Sequence, residues 1–124
     1  MELLERITDL EFATFGYDKL PLECDGLTRV LSNILKEKNI DHKVFCGEVQ
    51  RKDEVVIQFH MWIEVDDIFI DYRLRMWLYE ERAPHGVFQQ FELDKFDLTY
   101  SNKKEINFNS SKDKLVAKVL MGFV

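Results

Sequence analysis

Basic residues are the minority in this chain. Lys and Arg number 17 against 23 Asp and Glu, for a formal net charge of −6. With no basic run, the chain is a poor match for nucleic-acid phosphates, whose binding depends on displacing counterions with cations. Docking on an anionic membrane surface is disfavoured for the same reason. Two cysteines cannot build a disulfide framework. Two prolines and five glycines exclude low-complexity linker character. No apolar run approaches the roughly 18–20 residues of a membrane span. The opening MELLERITDLEF has neither the basic segment nor the continuous apolar stretch of a secretion signal. These absences lead to the expectation of a cytoplasmic protein with reduced thiols, binding neither nucleic acid nor membrane.

Apolar residues are plentiful by contrast, at 46%, with ten Phe among 124 residues. That is enough for one domain, 1–124, to bury a core and to rule out disorder as its default state. Leu3, Leu4, Ile7, Leu10 and Phe12 or Ala13 recur at helical spacing, predicting a helix over Glu2 to Phe15 that stops near Gly16. Gly16 to Glu23, with Pro21, reads as a loop. A second helix is predicted from Cys24 or Asp25 to Lys38, with Leu27, Val30, Leu31, Ile34 and Leu35 as its stripe and Asn39 as its stop.

The apolar period then shortens to two. Strands are predicted over Lys43 to Gln50, Val55 to Val65 and Ile68 to Tyr72, the last two joined by an Asp66-Asp67 turn. Pro84, His85 and Gly86 mark a loop. Val87 to Leu93 and Asp97 to Tyr100 read as short strands, and Ser101 to Ser111 as polar loop. Lys112 to Val124 fits either a final helix or a strand. Helices first and strands after predict an α+β fold, with N-terminal helices packed on an antiparallel sheet.

Cys24, His60 and Asp71 stand out by position. Cys24 opens the second helix, where unpaired N–H groups and the helix dipole favour negative charge on a thiol or on an acyl-transfer oxyanion. The bland alternative is a small apolar residue at a helix start. If Val65 faces Ile68 across the turn, Asp71 becomes a diagonal neighbour of His60 on one face, within side-chain reach. A carboxylate there orients an imidazole.

That face also carries Gln58, Trp62, Glu64, Phe69 and Arg73. The other carries Val55, Ile57, Phe59, Met61, Ile63, Val65, Ile68, Ile70 and Tyr72, and reads as core. The competing account of the mixed face is a solvated surface with an Asp71–Arg73 or Glu64–Arg75 ion pair. For the three groups to meet, the Cys24 helix is expected to pack on the mixed face. Cys46 reads as a buried structural thiol and His42 as a solvated loop residue. A zinc site from Cys24, Cys46, His60 and His85 lacks ligand spacing.

Cys24 at a helix start, then NIDHKVFCGEV from Asn39 to Val49, then HMWIEVDDIFIDYR from His60 to Arg73, resembles the core of the transglutaminase-like superfamily of papain-like thiol enzymes. In that core a helix-start Cys precedes a Gly-Ile-x-Ala-Arg-x-x-x-Gly segment, His-x-Trp-x-Glu-Val and an Asp in the next strand. Ile40, Val44 and Gly47 fit the middle segment; His60, Trp62, Glu64 and Val65 fit the third; Asp71 fits the last. The likeness covers roughly residues 20 to 75.

It implies a transglutaminase-like fold and a triad of Cys24 as nucleophile, His60 as general base and acid, and Asp71 as orienter. It implies acyl transfer or amide hydrolysis through a thioester, on a protein or peptide, with no metal or organic cofactor. Glu23 and Asp25 depart from the small neighbours usual at the Cys, and like charge opposes ionisation there. No papain-like oxyanion Gln lies upstream, and Tyr17 is the substitute donor. Trp62 is a candidate shield over the imidazole pair and His85 a candidate for lining the cleft. The rival class is an inactive accessory or inhibitor protein that keeps the fold and meets a basic partner through its acidic surface.

Overall fold

The computed structural model describes residues 2–107. Helix α1 spans Leu3–Ala13 and α2 spans Cys24–Glu37, with a 3-10 turn at Tyr17–Lys19 between them. Strands β1 (Lys43–Arg51), β2 (Glu54–Val65) and β3 (Ile68–Asp71) follow, then the short helix α3 (Leu74–Leu78). Strand β4 (Gly86–Gln89), helix α4 (Gln90–Asp94) and strand β5 (Leu98–Ile106) complete the described order. The strands form one five-stranded sheet in the order β4-β3-β2-β1-β5. Every neighbouring pair is antiparallel, so the fold is α+β as the segment order predicts.

Helices α1 and α2 cover one face of the sheet. Leu10, Leu27, Leu31 and Leu35 pack there with Met61, Ile63, Val65, Ile68 and Ile70. Each such side chain taken from water stabilises the fold by about 1.5–3 kcal/mol. Val30 and Ile34, on the flank of α2, pack instead against Leu20. The helix is thus held between the sheet and the segment that leads into it. Of the α1 stripe only Leu10 and Ala13 are buried, while Leu3, Leu4 and Phe12 remain exposed. Arg6 ties α1 to the β2–β3 turn through Asp66, 2.8 Å away.

The other face is covered by the second half of the chain. Val49, Ile57, Leu74, Phe88, Leu93 and Leu98 form its core. The strand expected over Val87 to Leu93 ends at Gln89, because a capping box between Gln89 and Glu92 starts α4. Ser101 onward is not a loop up to Ile106: β5 continues through it, its polar residues exposed on a sheet edge. Lys112 to Val124 lies outside the described residues.

Alternation along β2 is interrupted by two register shifts against β1, at Gly47/Val49 and at Val49/Gln50. Between the pairs Gly47–His60 and Val49–Ile57, β1 advances two residues and β2 three. The extra residue is a bulge, and it turns Ile57 to the side of His60 rather than to the helix-covered face. Val55 and Phe59, expected in the core, are exposed. Strand β3 pairs only with Ile63 to Val65, so among the described residues the first half of β2 has β1 as its one strand neighbour.

Candidate active site

The β2–β3 hairpin has the expected register, with Val65 opposite Ile68 and Ile63 opposite Ile70. His60 and Asp71 consequently share a face. The His60 Nε2–H donates to Asp71 Oδ2 at 2.6 Å, and both side chains are buried. Burial lowers the pKa of His60, but the charge and hydrogen bond of Asp71 more than reverse this, and Cys24 adds to the upward push; the result is about 10. The ring therefore carries its proton at neutral pH.

Asp71 is held by two further donors. The Arg73 backbone N–H meets Oδ1 at 2.9 Å, and the Tyr100 hydroxyl meets Oδ2 at 2.5 Å. Burial, then the Asp71 charge, raises the pKa of Tyr100 well above its ordinary value, so the phenol stays a donor. Tyr100 sits on β5, with β1 and β2 between it and β3. Its bond to Asp71 shows that the sheet curls toward this face. Trp62 stacks on Tyr100 with ring centroids 4.1 Å apart and lies 6.3 Å from the His60 ring. These rings keep water from the His60–Asp71 pair.

Cys24 reaches His60 from the helix side. Helix α2 packs on the apolar face, not on the mixed face, yet its first residue lies near enough to the imidazole to help raise the pKa of the ring. The meeting is possible because β3 stops at Asp71, so on the side of β2 away from β1 no described strand flanks His60 and the helix start can occupy that edge. With Nε2 committed to Asp71, His60 Nδ1 has no partner in hydrogen-bond geometry. The thiol thus stands close to the ring without a hydrogen bond to that nitrogen.

Arg73 secures the approach to Cys24. Its guanidinium donates to the carbonyls of Leu22 at 2.6 Å, Asp18 and Leu20 at 2.9 Å, and Tyr72 at 3.0 Å. The expected ion pair with Asp71 is not made by the side chain, because the fork is committed to the loop before α2. Arg75 likewise donates to the Ala83 carbonyl, while Glu64 pairs with Lys103. At His60, Trp62, Asp71 and Arg73 the mixed face is therefore buried, while Gln58 stays exposed.

A cleft of about 530 Å³ opens beside the sulfur, lined by Glu23, Cys24, Asp25, Val56, Ile57, Gln58, Phe59 and Trp77. Three earlier candidates do not line it. Tyr17 is half-buried between the two helix-side clusters and is not among the residues that line the cleft. Trp62 is wholly buried, and its indole N–H goes to Glu64 at 3.0 Å. His85 stands edge-on to Tyr72 and 3.9 Å from Asp18, outside the cleft. Trp77, at 41% exposure, forms part of the cleft wall.

His42 is not solvated: it is half-buried, 2.6 Å from the Ser32 hydroxyl and 2.9 Å from the Ile40 carbonyl. Cys46 is half-buried, and both cysteines are free. Among the described residues no cluster of His, Cys, Asp and Glu is arranged to hold a metal ion, and no helix is long and apolar enough to cross a membrane. Arg73, Tyr100 and the cleft wall were missed because each depends on contacts between segments far apart in the chain. No family model, curated protein or solved structure matches the chain.

Proposed function

We propose that the protein is a cysteine-dependent hydrolase or acyltransferase, built on a transglutaminase-like core, that acts on an amide or thioester in a protein or peptide. One observation carries the reading. A buried His60–Asp71 pair lies behind a helix-start thiol that itself opens on a cleft.

In this reaction Cys24 Sγ attacks the carbonyl carbon, with His60 holding the proton the nucleophile gives up. Positive charge on the imidazole ring and on Arg73 lies where the sulfur carries negative charge. The first intrahelical bond of α2 is from the Leu27 N–H to the Glu23 carbonyl, so the N–H groups of Cys24 to Gly26 precede it and can receive the tetrahedral oxyanion. Collapse breaks the bond to the leaving amine or thiol, which takes the proton from His60, and leaves a thioester on Cys24. Water or an acceptor amine then attacks the thioester, His60 accepts its proton, and the sulfur is released.

Competitive labelling with iodoacetamide near neutral pH tests the reading. Cys24 should alkylate much faster than Cys46, and His60→Ala should slow Cys24 by about tenfold or more. Equal, slow labelling of both thiols would leave an accessory binding protein as the better account.

A further inference from the structure

The wall of the cleft is chemically two-sided. On the helix side, Glu23 and Asp25 flank the thiol. Asp25 is bridged to Arg29 at 3.1 Å. Glu23 occupies the N-cap position of α2, where a shorter acceptor side chain would bond the helix N–H groups, but it makes no cap bond. Its side chain is exposed and lines the cleft, and no cation stands among the described residues that line it. On the strand side, Val56, Phe59 and Trp77 are 38%, 59% and 41% exposed. Among the described residues no strand covers this part of β2, because β3 is too short to reach it.

A free carboxylate beside a nucleophilic sulfur raises an electrostatic problem. Attack builds negative charge, first on sulfur and then on the oxyanion, and Glu23 opposes both. A positive charge on the bound molecule removes that opposition. Resting on the thiol reading above, we propose that the cleft selects an acyl donor bearing a Lys or Arg side chain beside an apolar residue, with the cation against Glu23 and the apolar group on Phe59 and Trp77. Selection then acts in the transition state as well as in binding, since the cation matters most when the oxyanion forms.

Dipeptidyl chloromethyl ketones provide the probe: Cys24 displaces chloride and forms a thioether. Acetyl-Phe-Lys, acetyl-Phe-norleucine and acetyl-Phe-Glu chloromethyl ketones would be compared, with iodoacetamide as a small neutral reference. The Lys probe should label Cys24 fastest and the Glu probe slowest, with about a threefold or greater difference between those extremes. Raising salt to about 0.5 M should compress the series. Glu23→Gln should also compress it, chiefly by speeding the Glu probe. Because Glu23 makes no cap bond, this variant should fold as the parent does. Replacing the probe's Phe by Ala should slow labelling, and Phe59→Ala should erase that difference.

Equal rates for the three probes, or a series unchanged by Glu23→Gln, would overturn the inference. If that occurs while iodoacetamide still labels Cys24 in a His60-dependent way, the thiol reading stands and only the substrate class falls. If His60-dependent labelling is itself missing, the thiol reading falls first.

Discussion

Tyr100 and His60 meet the same oxygen of Asp71, the phenol at 2.5 Å and the imidazole at 2.6 Å. The carboxylate is therefore a hub joining β5 to the hairpin that carries the histidine. Tyr100→Phe keeps the ring stacked on Trp62 and removes only the hydroxyl. It should cost about 1–2 kcal/mol of stability, read from urea denaturation. Losing one donor concentrates the Asp71 charge on His60, so the imidazole should hold its proton to higher pH in a proton NMR titration. A lower His60 pKa would contradict this account.

The His60–Asp71 pair also sets a pH dependence. The His60 pKa is raised from 6.5 to about 10 on folding. Its contribution to stability is then complete below pH 6.5 and is lost as the pH rises through about 10. Denaturation midpoints measured across that window should fall as pH increases. In Asp71→Asn burial is left to dominate, the histidine is neutral in the folded state, and the decline over this window should be largely abolished. Parallel curves for the two proteins would exclude the pair as its source.

Arg73 should be the least replaceable side chain outside the proposed triad. Arg73→Ala leaves the carbonyls of Asp18, Leu20 and Leu22 without their donor, at a cost of about 3 kcal/mol or more. Arg73→Lys restores the charge but not the fork, and should recover only part of the loss. In the Lys variant, iodoacetamide labelling of Cys24 should slow more than labelling of Cys46. The loop held by the guanidinium runs directly into Cys24, whereas Cys46 lies on β1.

Gly47 is required by a close approach. A Cβ at this position would lie 2.7 Å from the Ser101 carbonyl oxygen, a backbone atom that cannot step aside cheaply. It would also stand on β1 opposite His60. Gly47→Ala should destabilise the protein by about 1–3 kcal/mol through overpacking, seen as a lower thermal midpoint.

Helix α2 and the hairpin were legible because their signals are local. The stripe from Leu27 to Leu35 has helical period, and an even turn at Asp66-Asp67 forces His60 and Asp71 onto one face whatever surrounds them. The side of the sheet on which α2 packs was not legible. A regular alternation placed Val55, Ile57 and Phe59 in one core, but two register shifts between β1 and β2 put Ile57 in the opposite core and leave Val55 and Phe59 exposed. Strand β5 was read short because an edge strand tolerates the polar run Ser101 to Glu105 that period-two patterning treats as loop.

From the chain alone, then, come the pairing of imidazole with carboxylate and a thiol at a helix start, since each follows from the periodicity of one element or one hairpin. Only folding in three dimensions decided that the thiol and the imidazole would meet. It did so by ending β3 at Asp71, clamping the loop before Cys24 with Arg73, and curling the sheet until Tyr100 reached the carboxylate. These are contacts between segments distant in sequence, set by packing, and no local pattern of residues encodes them.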